Sequence, residues 1–200
     1  MSNQNSTANV TPGKPKVTGA IYTALASANP TIPTDATTDL TGFECVGYIS
    51  EDGVKRSKEI SAETIKAWGG DTVLVTRTDN STSFTWKMIE YLKDTVQKVA
   101  FGSANVSGSL ATGMIVKDVP SYAGEERVWV IDQIMTGNVK SRIVIPKGDI
   151  TSIGEITYAD SDATGIEVTV NAKPDSTGTA VYEYLKETAS AGSSGNSGTS

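Results

Sequence analysis

Hydrophobic and polar positions change their rhythm within residues 84–102. Phe84, Trp86 and Met88 alternate with Thr85 and Lys87, the period of a half-buried strand. The period then lengthens, so that Ile89, Leu92, Val96, Val99 and Ala100 share one face of a helix and leave Lys93, Asp94 and Gln97 outward. The pattern predicts a strand running straight into a helix. Glu90 stands in its first turn, Lys98 in its last, Asp94 and Lys98 are spaced as an i,i+4 pair, and Gly102 is the stop. Burying the four large apolar residues of that face stabilises by roughly 1.5–3 kcal/mol each.

The same reading predicts further strands at 17–25 and 43–49, separated by a Thr-rich loop at 26–40 that contains Pro30 and Pro33. Ser50-Glu51-Asp52-Gly53 is a turn signal. Residues 72–78 and 82–88 predict an antiparallel hairpin turned at Asp79-Asn80-Ser81 and feeding the helix. Short strands recur at 106–119, 127–134, 139–145 (ending at Pro146), 150–158, 165–172 and 179–185. Many short strands and one helix make the expected fold mainly β, a small β-barrel or sandwich of antiparallel strands with one flanking α-helix. Residues 17–187 form that domain, residues 1–16 are expected to be a flexible N-terminal arm, and 188–200 a flexible Gly/Ser-rich tail.

Residues 51–71 fit less simply. Charges at Lys55, Arg56, Lys58, Glu59, Glu63 and Lys66 surround large apolar residues only at Val54, Ile60, Ile65 and Trp68. The segment is either a long hairpin arm or an ordered loop, and long irregular segments in compact domains are usually functional or disordered. Trp68, just before Gly69-Gly70, either anchors on a partner or folds back on its own domain.

Composition narrows the functional classes. With 200 residues, 38% of them hydrophobic, the chain suits one domain of about 150 residues with tails. A net charge of −6 argues against an ordinary nucleic-acid binder. The absence of histidine removes Ser-His-Asp and Cys-His catalysis and every His-containing metal site. Cys45, the single cysteine, cannot form an internal disulfide and is expected to be a buried, inert thiol. No apolar run reaches membrane-spanning length and residues 1–16 lack a signal-peptide core, so the protein is expected to be cytosolic when made.

Motifs add little chemistry. Gly102–Gly108 lacks the Gly-Lys-Ser/Thr ending of a phosphate loop, and Asp160-Ser161-Asp162 lacks the Gly and terminal Glu of a calcium loop. Glu51-Asp52 and Glu125-Glu126 are adjacent carboxylates in predicted turns, not an acid/base pair facing a substrate. Trp86 and Trp129 are expected in the core. The expectation is a non-enzyme with no catalytic residue, cofactor or metal.

The order Phe43-Glu44-Cys45-Val46-Gly47-Tyr48-Ile49, Ser50-Glu51-Asp52-Gly53, then Ile65-Lys66-Ala67-Trp68-Gly69 resembles the major tail tube proteins of long-tailed, siphovirus-type bacteriophages. So do the strand-helix unit ending Val99-Ala100-Phe101-Gly102 and the turn Ala172-Lys173-Pro174-Asp175 before Tyr182. The resemblance spans residues 17–187. It implies a β-barrel or sandwich forming ring oligomers, six subunits to a ring, with rings stacked into a hollow tube for DNA ejection. Residues 51–71 would be the stacking arm, with Lys55, Arg56, Lys58, Ile60, Ile65 and Trp68 as inter-ring or inter-subunit contacts. Implied partners are further copies of the chain, tape-measure, tail-terminator and baseplate or initiator proteins, and DNA that passes the lumen without specific binding. No membrane anchor is implied. Location would be the virion tail, assembled in the host bacterial cytoplasm. The alternative class is a stand-alone Ig-like binding or decoration module on a virion.

Overall fold

The computed structural model describes residue 7, residues 10–16 and residues 19–188. Along them run β1 (Lys14–Pro15), β2 (Ile21–Leu25), β3 (Glu44–Cys45), β4 (Lys55–Lys66), β5 (Thr72–Met88), α1 (Asp94–Phe101), β6 (Val106–Ser109), β7 (Gly113–Val116), β8 (Arg127–Met135), β9 (Val139–Ile153), β10 (Ile166–Lys173) and β11 (Tyr182–Glu187). Nine strands form one antiparallel sheet of order β3-β2-β8-β9-β10-β5-β4, with β1 beside β8 and β11 beside β9. The remaining two, β6 and β7, make a separate hairpin.

The period-two pattern places the core. Phe84, Trp86 and Met88 of β5 stand opposite Val170, Val168 and Ile166 of β10, and all six are buried. The sheet curls so that these side chains meet Trp129 and Ile131 of β8 and Ile143 and Ile145 of β9. Trp86 and Trp129 pack edge to face, with ring centroids 5.1 Å apart at 68°. Val96, Val99 and Ala100 of α1 join the same core. The opposite face of β8 and β9 is also buried, and residues 35–38 are tied to it through Arg142.

The fold is mainly β and sandwich-like with one helix, but the ladder does not close into a barrel. Its edges are β3 and β4, and the chain between them crosses the gap. Val46 N–H donates to Ile21 O at 3.0 Å, Ile89 N–H to Tyr48 O at 3.0 Å and Ser50 N–H to Lys87 O at 2.9 Å. The strand expected at 43–49 is therefore only β3 plus an isolated bridge between Ile49 and Met88.

Three other expectations change. The helix starts at Asp94, not Ile89, because the backbone of Ile89 is held by Tyr48 O and Glu90 accepts the Tyr48 N–H at 2.8 Å. Leu92 is consequently exposed, while Gln97 turns inward and donates to Tyr91 O. No turn forms at 79–81: β5 runs through it, paired with β4. Nor does Pro146 end a strand. Strand β9 continues past it, because its partner on one side changes there from β11, which reaches Val144, to β10, which begins at Lys147, and the missing N–H is not needed.

Cys45 is half-buried on an edge strand, not fully enclosed. Within the expected N-terminal arm, Lys14 and Pro15 pair with Ile134 and Gln133. The rest of that arm up to residue 9, except residue 7, and the tail beyond 188 lie outside the described residues.

Candidate assembly interface

Residues 51–71 and the first half of β5 together make one long hairpin. Its ladder runs from Lys55 opposite Thr85 to Lys66 opposite Thr72. The true turn is Trp68-Gly69-Gly70, where φ is +125° at Gly69 and +98° at Gly70, values open to glycine and rare for other residues. Ala67 N–H donates to Asp71 O at 2.8 Å and closes it. Beyond Lys58 the two strands leave the body, and nine residues of β4 at the usual rise carry the tip about 30 Å outward.

All of β4 is exposed, and its outer edge has no strand partner among the described residues. Bulges lie between Ser61 and Ala62 and between Ile65 and Lys66, where they add twist. An exposed strand edge of this length is a hazard in a lone molecule unless something pairs with or covers it.

The arm is tied to the body at its base. The Arg56 guanidinium lies 5.5 Å from the Phe84 ring centroid and 3.2 Å from Glu183 Oε2. Lys55 stands beside it opposite Thr85. Further out, alternation sends the candidate contacts to different faces. Arg56, Lys58 and Ile60 share the face that continues the core side of β5, whereas Lys55 and Ile65 lie on the other. Trp68 is fully exposed at the tip, so it neither folds back on its own domain nor packs on any described neighbour.

Sequence reasoning missed the other half of this surface. Val73, Leu74 and Val75 of β5 are exposed to 61%, 53% and 60%, and Leu74 faces Ile65 across the ladder. Their β-branched run predicts a body strand because Asp79-Asn80-Ser81 has turn composition. Gly69-Gly70 is the sequence signal that marks where the chain reverses.

Elsewhere, an open groove of about 1030 Å³ beside the arm's base is lined by Pro15, Gly19, Cys45, Tyr48, Glu51 and Glu90, among others. Among the described residues no cluster of three or more Cys, Asp or Glu side chains has metal-binding geometry. Asp162, weighed as a calcium ligand, instead lies 3.8 Å from Lys87 Nζ. No helix is long and apolar enough to cross a membrane among those residues. The exposed arm is thus the feature with an unmet physical requirement.

A family model described as phage tail tube protein matches residues 2–195. No curated protein matches the chain. Among solved structures, the chain is similar in fold to one in the sheath–tube complex of an extracellular contractile injection system (PVC) in its extended state. The identity is 9%, the TM-score 0.42, and the match covers 92% of this chain and 100% of that one.

Proposed function

Because the chain belongs to the phage tail tube protein family, a structural and non-enzymatic family of the virion tail, we propose that it assembles into rings of six that stack into the conduit for DNA during ejection. The observation that carries this reading is the arm: a two-stranded hairpin that buries almost nothing, with an edge unpaired among the described residues and a bare Trp68 at its tip. Its role is to meet the next subunit or ring, where Lys55, Arg56, Lys58, Ile60, Ile65 and Trp68 contribute contacts. Burying the exposed apolar side chains of Ile60, Ile65 and Trp68 there gains roughly 1.5–3 kcal/mol apiece before ordering costs.

Tape-measure, terminator and baseplate or initiator proteins are the further partners on this reading, and assembly takes place in the host cytoplasm. The net charge of −6 suits a wall that lets DNA slide, since neutralised phosphates would instead hold it by counterion release.

Negative-stain electron microscopy of the concentrated protein tests the proposal, with Trp68→Ala and a chain whose residues 60–80 are replaced by a short turn as comparisons. Wild-type protein is expected to give rings or tubes of uniform bore, and both variants folded but unstacked subunits. Tubes in normal yield from both variants would remove the arm from assembly; a wild-type protein that stays monomeric with its tail partners present would remove the tube reading.

A further inference from the structure

The free part of the arm sorts its charge by face. Strand β4 has no extra residue, so its alternation is unbroken: Lys58, Ile60, Ala62, Thr64 and Lys66 point one way, and Glu59, Ser61, Glu63 and Ile65 the other. On β5, Arg77 pairs with Ala62 and so joins the first face, while Asp79 pairs with Ser61 and joins the second; the bulge between them absorbs the odd residue. One face therefore carries Lys58, Lys66 and Arg77 with no acid, and the other Glu59, Glu63 and Asp79 with no base. None of these six makes an ion pair among the described residues.

Heights along the arm match for two of the three cations. Lys58 and Glu59 differ by one residue, and Arg77, level with residue 62, lies one step from both Asp79, level with residue 61, and Glu63. We propose that the arm docks front to back on the arm of a second copy pointing the same way, cationic face against acidic face. The inference rests on the self-assembly proposed above and specifies its geometry.

Two sheets packed face to face stand about 10 Å apart, a gap that Lys and Arg stems span to reach a carboxylate. A two-fold contact would bring identical faces together, cation to cation or acid to acid. Pointing the partner arm the opposite way while keeping front against back would need a half-turn at every step, which repeats as a two-fold screw and does not close a ring. A front-to-back, same-direction contact is heterologous, the type that propagates round a ring. Ile60 and Val75 on one face and Ile65 and Leu74 on the other supply the apolar centre of the contact, and the charges fix its polarity and level.

The test uses full-length chains and a pelleting assay for assembly. Variant one carries Lys58→Glu, Lys66→Glu and Arg77→Glu; variant two carries Glu59→Lys, Glu63→Lys and Asp79→Lys; variant three carries all six exchanges and keeps the net charge of −6. Variants one and two alone should need at least about tenfold more protein than wild type to assemble, as expected when both faces of the contact carry the same sign of charge. Their equimolar mixture should assemble within about twofold of the wild-type concentration, because each supplies the face the other lacks. Variant three should also assemble near that concentration, and wild-type assembly should weaken in about 0.5 M salt.

Rescue by mixing also excludes misfolding as the cause of the single-face losses. Wild-type tubes accompanied by normal assembly of variants one and two, or by a mixture no better than its components, would overturn the front-to-back contact and leave the tube reading standing. Wild-type protein that never associates would overturn both.

Discussion

Arg142 and Asp132 face each other across β8 and β9, with Nε to Oδ1 at 2.7 Å and Nη2 to Oδ2 at 2.9 Å, and both side chains are buried. The third guanidinium nitrogen donates to Thr38 O at 2.7 Å and to Asp35 O at 3.3 Å, so one cation joins two strands and a loop. Asp132→Asn removes the charge but not the shape, and leaves a buried cation unpaired. The expected cost is about 3–5 kcal/mol in chemical denaturation, and a loss below about 1 kcal/mol would show that water compensates. A second residue-scale prediction concerns acid. Asp175 accepts hydrogen bonds from Thr177 Oγ1 at 2.7 Å and Tyr182 Oη at 2.8 Å, which hold its carboxyl well below the usual range. The Thr38 and Thr37 amides do the same for Asp35 and lower its pKa to about 2. Both folded-state values lie under the ordinary aspartate value of about 3.9, so this stabilisation is complete above it and lost as pH falls through the folded values. The thermal midpoint should therefore decline from about pH 4 towards pH 2, and less steeply in Asp175→Asn. Identical slopes for the two proteins would assign the decline to other groups.

At the scale of elements, the strands with strict alternation were legible and the connections were not. Ile166, Val168 and Val170 announce β10, and Phe84, Trp86 and Met88 the inner half of β5, because each apolar residue lands on the buried face. The helix was overextended since Ile89 and Leu92 continue its spacing, while the force that holds 89–90 extended comes from Tyr48, some forty residues away. Pro146 misled for a similar reason: whether a proline ends a strand depends on what its neighbour needs, and here the ladder partner changes at that point. The arm, the candidate site, was half legible. Its charges and Trp68 mark residues 51–71, but the pattern of its second strand predicts a strand of the body. The crossing that replaces barrel closure offers a direct test. Gly47 has φ +88°, and a Cβ there would collide with the Glu90 carboxylate that accepts the Tyr48 N–H. Gly47→Ala should cost about 1–3 kcal/mol. Adding Glu90→Ala should recover the steric part but not the backbone part, so a double variant as stable as wild type would show that the left-handed conformation carries no cost.

For the whole molecule, the division of labour between body and arm makes stability uneven in a measurable way. The body holds the Trp86–Trp129 core, the helix and the buried Arg142 pair, whereas the arm beyond Lys58 has only its own ladder and exposed side chains. A two-stranded ribbon of that kind is marginal in water, so its amide hydrogens should exchange through local opening, far faster than those of β8 and β9. If assembly covers both faces of the arm, opening must then break intermolecular contacts as well. Hydrogen exchange read by mass spectrometry on free and assembled protein should show residues 58–82 slowing by at least about tenfold on assembly, with β8 and β9 little changed because they are already protected. Protection confined to the tip around Trp68 would favour a contact made by the turn alone with the next ring. Protection along the whole length would require a partner that follows the arm from base to tip, as a second arm lying alongside it does. Unchanged exchange throughout would mean that the arm remains bare in the tube, and its exposed edge, its apolar pairs and its sorted charges would need a different partner.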